Sequence, residues 1–125
     1  GTNEIQAIDL LVRKVLPDGG AGLAAVLDRL AADLQGDTAW LDAAARLKQA
    51  TAAIGERTRQ DAEHPYWIAG DYLRATALLA MRWAWARIES HPGAAQPRWQ
   101  RPAEAFRRWV WPEMALRLSM LEAGA

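Results

Sequence analysis

The sequence predicts an all-α fold, an up-and-down four-helix bundle preceded by one helix, and three observations carry that prediction. Turn and breaker residues cluster at 17–20, 36–37, 64–65 and 91–102, dividing the 125 residues into five segments each long enough for a helix. Within the segments apolar residues recur at i, i+3 and i+4, and none alternates with the period of two that a strand requires. Alanine and leucine greatly outnumber the β-branched types, and the links between the second, third and fourth segments are short, which favours antiparallel neighbours.

Segment 3–16 puts Ile5, Ile8, Leu11, Val12, Val15 and Leu16 on one stripe, with Asn3 in the N-cap position. Segment 21–34 repeats the pattern with Leu23, Val26, Leu27, Leu30 and Leu34, and Gly36 supplies a left-handed stop. Gly19, Gly20 and Gly22 read as a flexible connection between the two. The third segment starts with Asp37 or Thr38 as cap and ends near Asp61. Its residues Trp40, Ala44, Leu47, Thr51, Ile54 and Thr58 are spaced alternately by four and three, a seam for antiparallel packing. Segment 65–90 opens with Pro65 at the first helical position and is the most apolar, with Tyr72, Leu73, Leu79, Met81, Trp83 and Trp85, so it is expected to sit centrally. Segment 102–122 opens with Pro102 and carries Phe106, Trp109, Val110, Met114, Leu118 and Leu121 on one stripe. Pro112 is expected to kink or break it.

Fifteen basic and fifteen acidic residues cancel, and the pI of about 7.0 carries no electrostatic footprint of a nucleic-acid partner. There is no cysteine, hence no disulfide, thiolate metal site or cysteine nucleophile. The longest uncharged apolar stretch, 75–81, is far short of a membrane span, and Glu4 and Asp9 stand where a secretory leader would be basic and then apolar. A cytoplasmic protein is therefore expected. The paired Glu-x-x-His signature of di-iron bundles is absent; its nearest approach, Asp61-x-x-His64, occurs once at a helix end, so no metal site is expected. The serines are Ser90 and Ser119, without a nucleophile elbow, and there is no phosphate-binding glycine loop, so no catalytic residue is assigned.

Seven tryptophans stand out. Trp83 and Trp85, and likewise Trp109 and Trp111, lie two apart, so members of each pair point about 200° apart on a helix and one of each must sit at a boundary. Arg82, Arg87, Arg98, Arg101, Arg107 and Arg108 surround them, a composition suited to an interface and consistent with a homo-oligomer. A free-standing helical protein-protein interaction module is one function this surface would serve.

The first residues point elsewhere. GTNEIQ at positions 1–6, followed by AIDLLVRKVLPDGG, resembles the segment of acyl-CoA dehydrogenases that begins one residue after their catalytic glutamate, where the family pattern is Y-E-G-T-[NS]-x-I-Q. The stretch DYLRATALLAMRWAWARIE, a loop, and a proline-interrupted helix ending in MLEAGA are similar to the extra helical domain at the C-terminus of some larger bacterial members. The resemblance implies that residues 1–20 are the tail of the core helix and a linker, and that 21–125 are the C-terminal helical domain. It implies an FAD flavoprotein of fatty acid metabolism that dehydrogenates an acyl-CoA thioester to an enoyl-CoA. Its partners are the remainder of the dehydrogenase core and, in the complete enzyme, the acyl-CoA. Gly1 would correspond to the substrate-binding position beside the thioester, and Thr2, Asn3 and Glu4 to positions that contact FAD. The base would immediately precede Gly1, so the chain by itself is expected to be inactive, with a structural or oligomerisation role.

Overall fold

A computed structural model describes residues 1–124, and they are helical throughout apart from short links, with no strand among them. The fold is all-α, as the periodicity predicts. Helix α1 (Thr2–Ile8) continues into a wider-wound stretch, Asp9–Val15, and ends in a short turn at Leu16–Asp18. Helices α2 (Ala21–Ala31), α3 (Thr38–Gln60) and α4 (His64–Glu89) follow. After a 3-10 turn at Pro92–Ala95 come α5 (Pro97–Ala105), a wide-wound stretch Phe106–Val110, and α6 (Glu113–Ala123).

Helix α4 is central, as its apolar composition requires. It runs antiparallel to α3, since Trp40 reaches Leu79 and Thr51 reaches Tyr72. It runs antiparallel to α6 as well, since Arg117 pairs with Asp71 and Arg74 with Glu113. The third-segment seam is buried from Trp40 through Ala44, Leu47, Thr51 and Ile54, and Thr58 is half-buried. Ala7, Leu11 and Val15 of the first helical stretch enter the same core as Leu47, Leu78 and Leu118. Full burial of an aliphatic side chain of this size is worth about 1.5–3 kcal/mol.

Within this core Tyr72 and Thr51 form the buried polar pair. The Tyr72 hydroxyl lies 2.6 Å from Thr51 Oγ1, which also donates to the Leu47 carbonyl at 2.7 Å. Burial pushes the Tyr72 phenol up to about 12, against a smaller opposing effect of the Thr51 bond. The phenol is neutral in the fold, so its stabilisation is complete below the unfolded tyrosine value of about 10 and is lost as pH rises toward 12. Tyr72→Phe should cost about 1 kcal/mol at neutral pH, read from the urea midpoint. It should also remove the step at highest pH from the ultraviolet phenolate titration; a loss of amplitude near pH 10 instead would show that Tyr72 ionises unhindered.

Four local expectations need correction. The N-cap of α1 is Gly1, not Asn3, and no side chain caps it. Gly19 and Gly20 are not a loose tether: both have positive φ, 67° and 87°, and a Cβ on buried Gly20 would come within 2.7 Å of Thr51 Cγ2. The turn is held by the Asp18 carboxylate, which accepts from the Gly20 and Gly22 N–H groups at 3.0 Å each. Helix α5 starts at Pro97 rather than Pro102, because Pro97 takes the first helical position and Pro102 falls inside, where turning the chain early buries Ala103 and Phe106. Pro112 breaks the last segment as expected: the chain widens just before it, with Trp111 N–H donating to Phe106 O at 2.8 Å, and α6 starts after it.

Trp109 is the fourth. It is 73% exposed, outside the core in which Phe106, Met114, Leu118 and Leu121 lie. The wide-wound turn rotates it off the stripe. The Arg108 guanidinium covers its ring at 4.9 Å, so Trp109→Ala should cost no more than about 1 kcal/mol, checked by the urea midpoint.

Candidate functional site

The residues that carry the family resemblance lie at one end of α1, on the side of α4 that faces α6. Gly1, Thr2, Asn3 and Glu4 are all exposed. The first helical bond there runs from Ile5 N–H to Gly1 O at 3.4 Å, so the N–H groups of this turn have no acceptor one turn earlier. A groove of about 370 Å³ lies against them, walled by Asn3 and Glu4, by Gly70, Leu73 and Ala77 of α4, and by Arg74 and Arg117.

The groove's charges are balanced. Arg117 Nη1 donates to Asp71 Oδ1 at 2.7 Å and its Nε to Glu113 Oε2 at 3.4 Å, while Arg74 also donates to Glu113. The bond from Arg74 outweighs burial and holds the Glu113 carboxyl below its usual range, and the bond to Asp71 raises Arg117. Two guanidiniums facing two carboxylates leave no net charge to draw an anion into the groove. What they do is tie α4 to α6. Among the described residues Glu4 pairs with the Gly1 α-ammonium alone, 2.6 Å away, and that bond lowers its pKa.

Large apolar side chains of α1, α4 and α6 are also left exposed, and the sequence reading did not single them out. Ile5 is 70% exposed and Trp67 80%, with Tyr66, Leu116 and Met120 also exposed. Trp67 precedes Asp71 by one turn on α4 and Met120 follows Arg117 by one turn on α6, so both border the ion-paired seam.

The other sequence-predicted residues are dispersed. Trp83, Trp85 and Trp111 are half-buried against the core, so both members of the first pair lie at the boundary. Trp83 Nε1 donates to Asp33 Oδ2 at 2.9 Å, and the Arg82 guanidinium stacks on Trp111 at 4.5 Å. Arg82 and Arg107 are held by Asp37 and Glu89, so they serve the fold itself. Asp61 accepts from the Glu63 N–H at 3.1 Å, and His64 is buried with its Nε2 unpartnered among the described residues. Among the described residues no group of three His, Asp or Glu side chains comes together to hold a metal, and no helix is long and apolar enough to cross a membrane.

For a flavin, Thr2 and Asn3 offer a hydroxyl, an amide and unpaired backbone N–H groups at a helix start, a fit for one edge of a phosphate-bearing cofactor. They supply contact and no enclosing wall. No family model, no curated protein and no solved structure matches the chain.

Proposed function

We propose that this chain is the C-terminal helical part of a cytoplasmic, FAD-dependent acyl-CoA dehydrogenase, with α1 joining it to the catalytic body. The observation that supports the reading is the division of labour along α1. Ala7, Leu11 and Val15 are spent on the helical core, whereas Gly1 to Gln6, the stretch resembling the family motif, is unused by this fold and leaves Ile5 exposed. An isoleucine offered to water is the kind of surface that a preceding body of chain would cover.

Bound FAD would supply the hydride acceptor for Cβ of the thioester. This chain's residues would bind and position: Thr2 and Asn3 would offer donors to the cofactor, and Gly1, having no side chain, would leave its backbone free to lie beside the thioester. A peptide bond before Gly1 would also remove the ammonium that now holds Glu4, releasing that carboxylate. The bundle itself has a structural or oligomerisation role.

The test is to express the complete reading frame. A Tyr-Glu before Gly1 and a yellow, FAD-loaded protein are expected. Ile5→Asp should leave the isolated chain within about 0.5 kcal/mol of its stability and lower the melting temperature of the complete enzyme. A start codon directly before Gly1 and a colourless protein would leave the interaction module as the reading, supported by exposed Trp67 and by Trp109 under Arg108.

A further inference from the structure

At the opposite end of α4 from Tyr66 and Trp67, a cavity of about 570 Å³ opens between its last turn, the 3-10 turn and the start of α5. Ile88, buried Ala94 and the Trp99 indole form apolar walls, and Arg87, Arg98 and His91 stand around them. The volume falls within the range of small-molecule sites, and no Asp or Glu lines it.

The polar groups are donors left over from the fold. Arg98 has no carboxylate within 4 Å among the described residues and lies instead over the Trp99 ring at 5.2 Å. Arg87 has a loose partner, Asp33, at 3.6 Å, and that carboxylate is shared with the Trp83 indole. His91 Nδ1 accepts from the Gly93 N–H at 3.0 Å, which in the neutral ring leaves Nε2 carrying the proton as a donor. An apolar groove edged by guanidinium and imidazole donors, with no facing carboxylate, is complementary to one kind of occupant.

We propose that this cavity binds a small organic anion with a flat apolar body and one carboxylate. The body lies against Trp99, Ile88 and Ala94, and the carboxylate accepts from Arg98, with Arg87 and His91 beside it. The site is independent of the α1 end of the molecule and of the dehydrogenase reading.

The experiment is a titration of the ¹⁵N-labelled chain with 2-naphthoate, followed by amide and indole shifts. Saturable shifts at Ala94 and Trp99 below about 1 mM are expected. The neutral analogue 2-naphthalenemethanol and the bodiless anion acetate should each bind at least about tenfold more weakly, a loss of about 1.4 kcal/mol. Arg98→Gln, an exposed substitution whose unaltered spectrum elsewhere reports an intact fold, should weaken 2-naphthoate by a similar factor. Equal affinity for the neutral analogue, an unaffected Arg98→Gln, shifts located elsewhere, or no saturation at all would each overturn the proposal.

Discussion

Replacing Trp40 by alanine should lower the free energy of unfolding by about 3–5 kcal/mol, the largest effect expected of any single side chain here. Trp40 is 0% exposed, and its Nε1 donates to the Leu79 carbonyl at 2.9 Å, pinning the start of α3 to the middle of α4. Alanine removes the whole indole from the contact between two helices that frame the core, and close-packed neighbours relax into the space only in part. Since a domain of this size has about 5–15 kcal/mol in total, the variant should melt at a far lower urea concentration and be partly unfolded near body temperature. Trp40→Phe separates the contributions: it keeps most of the ring volume and gives up the hydrogen bond, and should cost less than half as much. An alanine variant with the wild-type midpoint would mean that α3 and α4 are not joined through this residue.

Asp37→Ala should cost about 2–4 kcal/mol, combining an N-cap with charge-assisted bonds. One Asp37 oxygen accepts from the Trp40 N–H at 3.2 Å, and the pair of oxygens accepts from Arg82 Nε and Nη2 at 2.8 and 3.0 Å. Arg82 is only 14% exposed, sandwiched against Trp111, so removing the carboxylate strands a largely buried cation. Burial alone would raise the Asp37 pKa, but the bonds from Arg82 and from the Trp40 N–H outweigh it and hold the carboxyl below its ordinary value. The sign follows from the lowered value: the contribution is present above the unfolded carboxyl pKa of about 3.9 and is lost as pH falls through the folded one. Asp37→Asn retains a capping oxygen and should fall between wild type and alanine at pH 7. Its stability should also converge with that of wild type as the pH drops below about 4; parallel acid profiles would show that Asp37 carries no charge-dependent stabilisation.

Periodicity alone located most of the helical content, because burial of one face per helix is a local pattern: the α3 seam is buried from Trp40 to Ile54 as read, and α4 is central. The errors fall where local rules compete. Pro102 reads as a helix start, yet Pro97 serves as one because an earlier start buries Ala103 and Phe106. Trp109 fits the stripe on an ideal 3.6-residue helix, yet the widened turn before Pro112 turns it to solvent. The Gly19-Gly20 pair reads as slack, yet Thr51, thirty-one residues beyond Gly20, leaves no room there for a Cβ.

For the site, the sequence by itself determined the class of fold, the helical segments and the motif at Gly1 to Gln6, since these depend on residue type and spacing. Only the tertiary structure decided that Ile5 and Trp67 stay in water, that Arg82 and Arg107 are held within the fold, and that Arg98 has no carboxylate partner among the described residues and stands beside an apolar groove. Those outcomes depend on which carboxylate or helix face arrives from far along the chain. An arginine's free partners are set by distances between helices, and spacing within one helix does not contain them.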